Sequence, residues 1–185
     1  MPAQFIASKI HDDEKTDWMT PVWIIELVVL LMGWIDLDPA SSAQANEHIG
    51  ADSIYTEQDD GLKQLWWFGK TPTKCFVNAP GRQVLVFWRK LIEEYLAGRV
   101  EQAFWVGFNA DQLRYLCVEP NDPFSYYVCI PRKRIRFVPT SKKQKNRPSH
   151  ANYLVWIVKD TDANWEKFKA VMGKHGRCYR RAQGS

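Results

Sequence analysis

This sequence has little that would tie it to a membrane, a metal or a disulfide scaffold. Its one extended apolar stretch, Val22 to Met32, is interrupted only by Glu26 and is too short to span a bilayer. No signal-peptide charge pattern precedes it, so it is expected to be a buried helix of a soluble protein. Cysteine is sparse: Cys75, Cys117, Cys129 and Cys178 are widely spaced and form no C-x-x-C, and the four histidines make no ligand pattern with them. This spacing argues against zinc and fits reduced cytosolic thiols. There is no internal repeat and no low-complexity tract.

What is present is a chain of 185 residues, 45% hydrophobic and 14% aromatic. That is about one domain with enough apolar side chain to bury a core, and too apolar to stay disordered. The formal charge is only +4, but it is unevenly spread. Most of the acid lies in the first sixty residues, whereas Arg132 to Arg147 holds eight Lys or Arg and no Asp or Glu. Such a run suits a polyanionic partner, the plain alternative being a solvated loop.

Along the chain, residues 1–15 show no period and read as a loose arm. Thr20 and Pro21 read as the N-cap and first position of a helix running to Met32, with Gly33 ending it. Trp34 to Asp38 alternates and stops at Pro39, as a strand does. Alternation puts Asp36 and Asp38 on the same face. Short strands are expected at Asp52–Tyr55 and Lys74–Val77, with a turn of helix at Gly61–Trp67 between them. Val84, Phe87, Trp88, Leu91, Ile92 and Tyr95 recur at helical spacing, with Arg89–Glu93 and Lys90–Glu94 as possible pairs on the other face.

Further strands are expected at Gln102–Phe108 and Tyr126–Ile130, with a short helix at Ala110–Leu116 between them. A terminal antiparallel pair, Arg134–Val138 and Tyr153–Val158, flanks the basic loop, and Asn164–Met172 closes the chain as a helix. This order gives an α/β three-layer domain. It is divided as an arm (1–15), one domain (16–178, with its basic loop at 132–147) and a tail (179–185). Two strand ends carry polar residues followed by proline, Asp38-Pro39 and Asn78-Ala79-Pro80, and open α/β sheets bind ligands at such carboxyl ends.

These pieces, taken in order, resemble a known family. Asp17-Trp18-x-Thr20-Pro21, Asp36-Leu37-Asp38-Pro39-Ala40-Ser41, Ala45-Asn46, Tyr55-Thr56, Asp60-Gly61-Leu62, Trp67, Phe76-Val77-Asn78-x-Pro80 and Phe87-Trp88 are similar to segments of the phage-type DNA N6-adenine methyltransferases. Looser similarity extends through Val106-Gly107-Phe108 and Pro131-x-x-Arg134-Ile135-x-Phe137 to the final helix. The resemblance implies a Rossmann-like methyltransferase sheet, mostly parallel with an antiparallel C-terminal hairpin. It also implies S-adenosylmethionine as methyl donor, double-stranded DNA as partner, no metal, and a phage- or prophage-encoded protein acting in a bacterial cytoplasm.

Residue by residue, the resemblance places Thr20 and Pro21 beside the cofactor's methionine end and Asp38, Pro39, Ala40 and Ser41 in its binding loop. Asp36 is a weaker candidate there, and Asp60 is expected to reach the cofactor's adenine. Asn78-Ala79-Pro80-Gly81 stands where the family carries its catalytic Asn-Pro-Pro-aromatic, with Asn78 and Pro80 in the catalytic roles. An exocyclic adenine amine is a poor nucleophile, because its lone pair is delocalised into the ring. An amide oxygen and a backbone carbonyl held by a proline turn can accept both its N–H bonds and favour the reactive geometry.

The chain departs from the pattern at Ala79, at Gly81 and in a cofactor loop without glycines, where Ser41-Ser42 stands instead. Trp66, Trp67 or Trp88 is the candidate ring to replace the one absent at 81, Trp67 and Trp88 being read otherwise as core. Arg132, Lys142, Lys143, Lys145 and Arg147 are the candidate phosphate contacts. The competing readings are a catalytically inactive methyltransferase-like module that binds DNA or protein, and a methyltransferase acting on an RNA or protein amine.

Overall fold

A computed structural model describes residues 18–69, 71–139 and 150–181. The expected arm at 1–15 and four of the candidate phosphate contacts, Lys142, Lys143, Lys145 and Arg147, lie outside those residues. The elements run β1 (Trp18–Met19), α1 (Val22–Met32), β2 (Leu37–Asp38), α2 (Ala43–Ile49), β3 (Ser53–Ile54), β4 (Thr73–Val77), α3 (Val84–Leu96) and β5 (Val100–Gly107). They continue with α4 (Gln112–Leu116), a 3-10 turn at Pro123–Ser125, β6 (Tyr127–Pro131), β7 (Ile135–Arg136), β8 (Val138–Pro139), β9 (His150–Ala151), β10 (Tyr153–Ile157), α5 (Asp162–Met172) and β11 (Gly176–Tyr179).

Seven strands form one sheet in the order β11-β6-β10-β5-β4-β2-β3. The half containing β3, β2, β4 and β5 is parallel, and β10, β6 and β11 are added antiparallel. Both faces of the sheet are covered, which is why β4 and β10 are buried at every position instead of alternating with polar residues. Phe76, Phe104, Leu154 and Trp156 face one way, into a core with α1 and α5. Their neighbours Cys75, Val77, Ala103, Trp105, Val155 and Ile157 face the other way, into a core with α3.

Several sequence expectations are corrected here. Tyr153–Ile157 does not form a hairpin with the Arg134–Val138 segment; it runs between β5 and β6 in the main sheet. The Arg134–Val138 segment splits instead, β7 pairing with β9 and β8 with β1. A strand buried on both faces gains more from the centre of the sheet than from a solvent-facing ladder, and Tyr153–Ile157 is apolar enough to take that place. The edge strand β11 was not anticipated, and Gly61–Trp67 forms turns, not helix.

Thr20 is not the N-cap of α1, whose first turn starts from Pro21 with no side-chain cap. Nor is α1 buried all round: Ile24, Leu27, Val28 and Leu31 are in the core, whereas Val22, Val29 and Leu30 are exposed. Of the two expected pairs on α3, Lys90–Glu94 forms at 2.6 Å, while Glu93 reaches Arg99 at 3.9 Å. Gly33 does end α1, with φ of 87°.

Candidate active site

The topology fixes where a site can form. From β2 the chain crosses to β3 on one side, and from β4 it crosses to β5 on the other, so the gap between β2 and β4 is the point where strand order reverses. Asp38 closes β2 and Asn78 follows directly on β4, one on each side of that gap.

A cavity of about 1100 Å³ opens there, lined by Thr20, Asp38, Pro39, Ala40, Ser41, Asp60, Asn78 and Pro80 among others. Ligand sites commonly occupy roughly 300–1000 Å³, so this one is large enough for a ligand of that size. Eight of the ten residues expected at the cofactor and catalytic positions therefore meet around one space, although the sequence spreads them from residue 20 to residue 80.

The two others stand apart. Pro21 is buried at the start of α1 but is not part of the cavity wall. Asp36 lies before β2, at the opposite end of that strand from the cavity. Its Oδ2 accepts the Lys74 backbone N–H at 2.7 Å and its Oδ1 accepts the Trp34 indole N–H at 2.7 Å. Asp36 fastens β2 to β4. Alternation does put residues 36 and 38 on one face, but at opposite ends of a very short strand.

Asp38 is 1% exposed, and its Oδ1 accepts the Ala40 backbone N–H at 3.0 Å. Burial pushes its pKa up to about 7, against the downward pull of the Ala40 amide and the nearby Ser41 hydroxyl. No cation pairs with it among the described residues. Ser41 Oγ is itself buried without a hydrogen-bond partner of good geometry. Ser42, the other serine of the loop, is committed to the fold: its Oγ accepts the Ala45 N–H at 3.2 Å and caps α2.

Asn78 is held from the start of α1. Its Nδ2 donates to Thr20 Oγ1 at 3.0 Å across 58 residues of sequence, and Thr20 stands one residue ahead of the N-cap position of α1. The other end of the amide, Oδ1, is buried and has no partner among the described residues. Leaving a buried acceptor unmade costs about 1–3 kcal/mol, so an orphan oxygen at a cavity wall is a place where a ligand donor is expected.

Asp60 borders the cavity in the left-handed region, with φ of 53°. Its carboxylate pairs with Lys63 at 2.8 Å, and that contact lowers its pKa. The loop turns so tightly that a Cβ on Gly61 would lie 2.0 Å from the Pro39 carbonyl oxygen, so only glycine lets the Asp60 loop close on the Pro39 loop. A glycine is thus used for close approach here, though not in the loop where the sequence lacks one.

Sequence reasoning missed part of the wall. His48, Thr56, Glu57, Arg82 and Phe108 also line the cavity, contributed by α2 and by the ends of β3, β4 and β5. The signal for Phe108 was its place at a strand end; for the rest, side-chain direction decided. The three candidate tryptophans do not line it. Trp66 and Trp88 are fully buried and donate to the carbonyls of Gly61 and Asn121, at 2.8 and 2.9 Å. Trp67, read as core, is 43% exposed.

Beside the cavity runs a basic strip. Arg132, Lys133, Arg134 and Arg136 are exposed and make no ion pair among the described residues, while Ile135 and Phe137 between them are buried. Phe137 packs on Phe108 with ring centroids 5.2 Å apart, and β8 pairs with β1 just ahead of Thr20. No cluster of three His, Cys, Asp or Glu among the described residues could hold a metal ion, and no helix among them is long and apolar enough to cross a membrane.

Comparison with known proteins bears on the whole of this arrangement. The family model described as DNA N-6-adenine-methyltransferase (Dam) matches residues 7–178. The chain belongs to that family. No curated protein matches it.

Proposed function

We propose that this member of the DNA N-6-adenine-methyltransferase family moves a methyl group from S-adenosylmethionine to the exocyclic amine of adenine in double-stranded DNA. The observation that carries the reading is the Asn78 amide, tethered at its nitrogen by Thr20 and left with an unpartnered oxygen at the wall of a cavity that also holds a buried, unpaired Asp38. An adenine amine supplies the donor that Oδ1 lacks. The fold behind it is a Rossmann-like methyltransferase sheet with helix layers on both faces, in a single domain spanning 16–178.

The residues suit the cofactor. Ser41 Oγ is a buried hydroxyl with no hydrogen bond of good geometry, and Asp38 is an acceptor with no cation among the described residues, so ligand hydroxyls or N–H groups would complete both. Thr20, Pro21, Pro39, Ala40 and Asp60 complete the holding set at the cavity's borders. S-adenosylmethionine supplies a methyl group already activated by its sulfonium charge.

What the chain adds is position. Asn78 Oδ1 accepts one N–H of the amine, and the Ala79 carbonyl, held by Pro80, accepts the other. Holding both N–H groups in this way would leave the nitrogen lone pair free for the methyl donor. Methylation would leave the nitrogen positively charged and its surplus proton acidic enough to pass to water, so no strong base is needed. Arg132 with Lys142, Lys143, Lys145 and Arg147 holds phosphates, giving affinity that falls steeply with salt and carries no sequence preference. The protein acts where bacterial DNA is, in the cytoplasm of a host cell, as a phage or prophage product.

Calorimetric titration with S-adenosylmethionine is the first test, with micromolar binding expected and its loss expected in Asp38→Ala. A DNA methylation assay follows, in which Asn78→Ala lowers transfer by on the order of 100-fold or more while the circular dichroism spectrum is unchanged. Full activity in Asn78→Ala overturns the catalytic assignment. No cofactor binding, with or without DNA, replaces the reading by that of an inactive module.

A further inference from the structure

The tetrapeptide after β4 ends in Gly81, so it offers no ring to a base that has left the duplex. Chemistry on a base inside DNA requires that base to be unstacked, at a few kcal/mol, and aromatic side chains in the receiving pocket recover part of that. Two phenylalanines line the cavity, Phe87 and Phe108. Phe87 is 4% exposed and lies against Trp66, so its ring belongs to the core. Phe108 is only half-buried.

Its position is level with the reacting end of the site. β4 and β5 are parallel neighbours with Val77 opposite Trp105. Continuing that register puts Phe108 beside Pro80. The backbone there is fixed: Asn152 donates through its N–H to the Gly107 carbonyl at 2.8 Å and through its side chain to the Phe108 carbonyl. Phe137 backs the ring at 5.2 Å between centroids, on the strip that carries the exposed arginines. A ring held from behind with its other side toward a cavity is a stacking platform.

We propose that Phe108 is the surface on which the extruded adenine stacks, in place of a ring at position 81; this rests on the adenine-methyltransferase reading above. The space at 81 is free, since a Cβ on Gly81 meets nothing within 4 Å. The base therefore has room to lie between the two strand ends with its amine toward Asn78.

The test uses the full chain with Phe108→Ala, Phe108→Leu and Phe108→Tyr, read by methyl-transfer kinetics, cofactor titration and the fluorescence of 2-aminopurine placed at the methylated position once sequencing has located it. Base–aromatic stacking of roughly 1–3 kcal/mol predicts a fall of about 5- to 150-fold in kcat/KM for DNA in the alanine and leucine variants. The tyrosine variant keeps most activity, and cofactor affinity is unchanged in all three. The analogue should fluoresce more brightly in the alanine complex, where no ring quenches it, and adding Gly81→Tyr should restore part of both losses. Leucine as active as phenylalanine would show that the ring only packs, and would sink the proposal alone. No transfer by the unaltered chain removes the underlying reading and the proposal with it.

Discussion

Glu94 and Asp38 are both buried carboxylates, 0% and 1% exposed, and the fold treats them in opposite ways. Glu94, near the end of α3, meets Lys90 at 2.6 Å and the Arg99 guanidinium as well. Burial alone would raise its pKa, but Arg99 and Lys90 together hold it below the usual carboxylate value. Asp38, at the end of β2, has the Ala40 N–H, the nearby Ser41 hydroxyl and, among the described residues, no cation, and its pKa rises to about 7. A carboxylate neutralised by its own chain is architecture. One that the chain leaves without a cation at a cavity, on whose wall Asn78 Oδ1 is also unpartnered, is where a ligand is expected.

Substitution should separate the two most sharply. Glu94→Ala strands Lys90 and Arg99, but both are partly exposed and can turn to water, so about 2–3 kcal/mol of stability is expected to go, below the full cost of breaking a wholly buried pair. Asp38→Asn should leave stability at neutral pH equal or higher, because no buried charge remains to be made, while cofactor affinity falls. Urea unfolding of both variants at pH 8 checks this. Equal destabilisation by the two would erase the distinction.

The pH dependence of stability sharpens it further, since the two groups act with opposite sign. The folded-state pKa of Asp38 lies above its unfolded value of 3.8, so its contribution is fully present below about pH 4 and is lost as pH rises toward 7. With a shift of this size the loss, complete once pH is above 7, is roughly 4 kcal/mol. Glu94 has its pKa lowered from 4.5, so its contribution is present above that value and is lost as pH falls through the folded pKa. Unfolding curves between pH 4 and 8 should show a decline toward neutrality that Asp38→Asn flattens and Glu94→Ala does not.

The smallest effect concerns the tether. Thr20→Val removes the acceptor for Asn78 Nδ2 while keeping shape. A hydrogen bond of about 0.5–1.5 kcal/mol predicts a two- to twelvefold loss of turnover, restored by Thr20→Ser, with little change in KM for DNA. A loss carried by KM alone would show that Thr20 binds and does not position.

Much of this site was legible because strand ends announce themselves. Asp38-Pro39 and Asn78-Ala79-Pro80 each follow an apolar run, and both reach the cavity. Asp36 and the tryptophans were not legible in the same way. Alternation gives the face of a residue but not which end of a strand it occupies, and it cannot tell Trp66, buried on Phe87, from Trp67, exposed beside it. The pairing of Tyr153–Ile157 was misread for a related reason: nearness in sequence favours a hairpin, whereas burial on both faces favours the centre of the sheet.

The sequence by itself determined the alternation of helix and strand, the polar, proline-marked ends of β2 and β4, and membership of a family, because periodicity, proline punctuation and ordered motifs are local properties. Only the tertiary structure decided that Thr20 holds Asn78, that Asp36 fastens strands, that Gly61 lets two loops close, and that Phe108 and Pro80 line one cavity. Those facts depend on which strands become neighbours and in what register, and register is set by the packing of both sheet faces together.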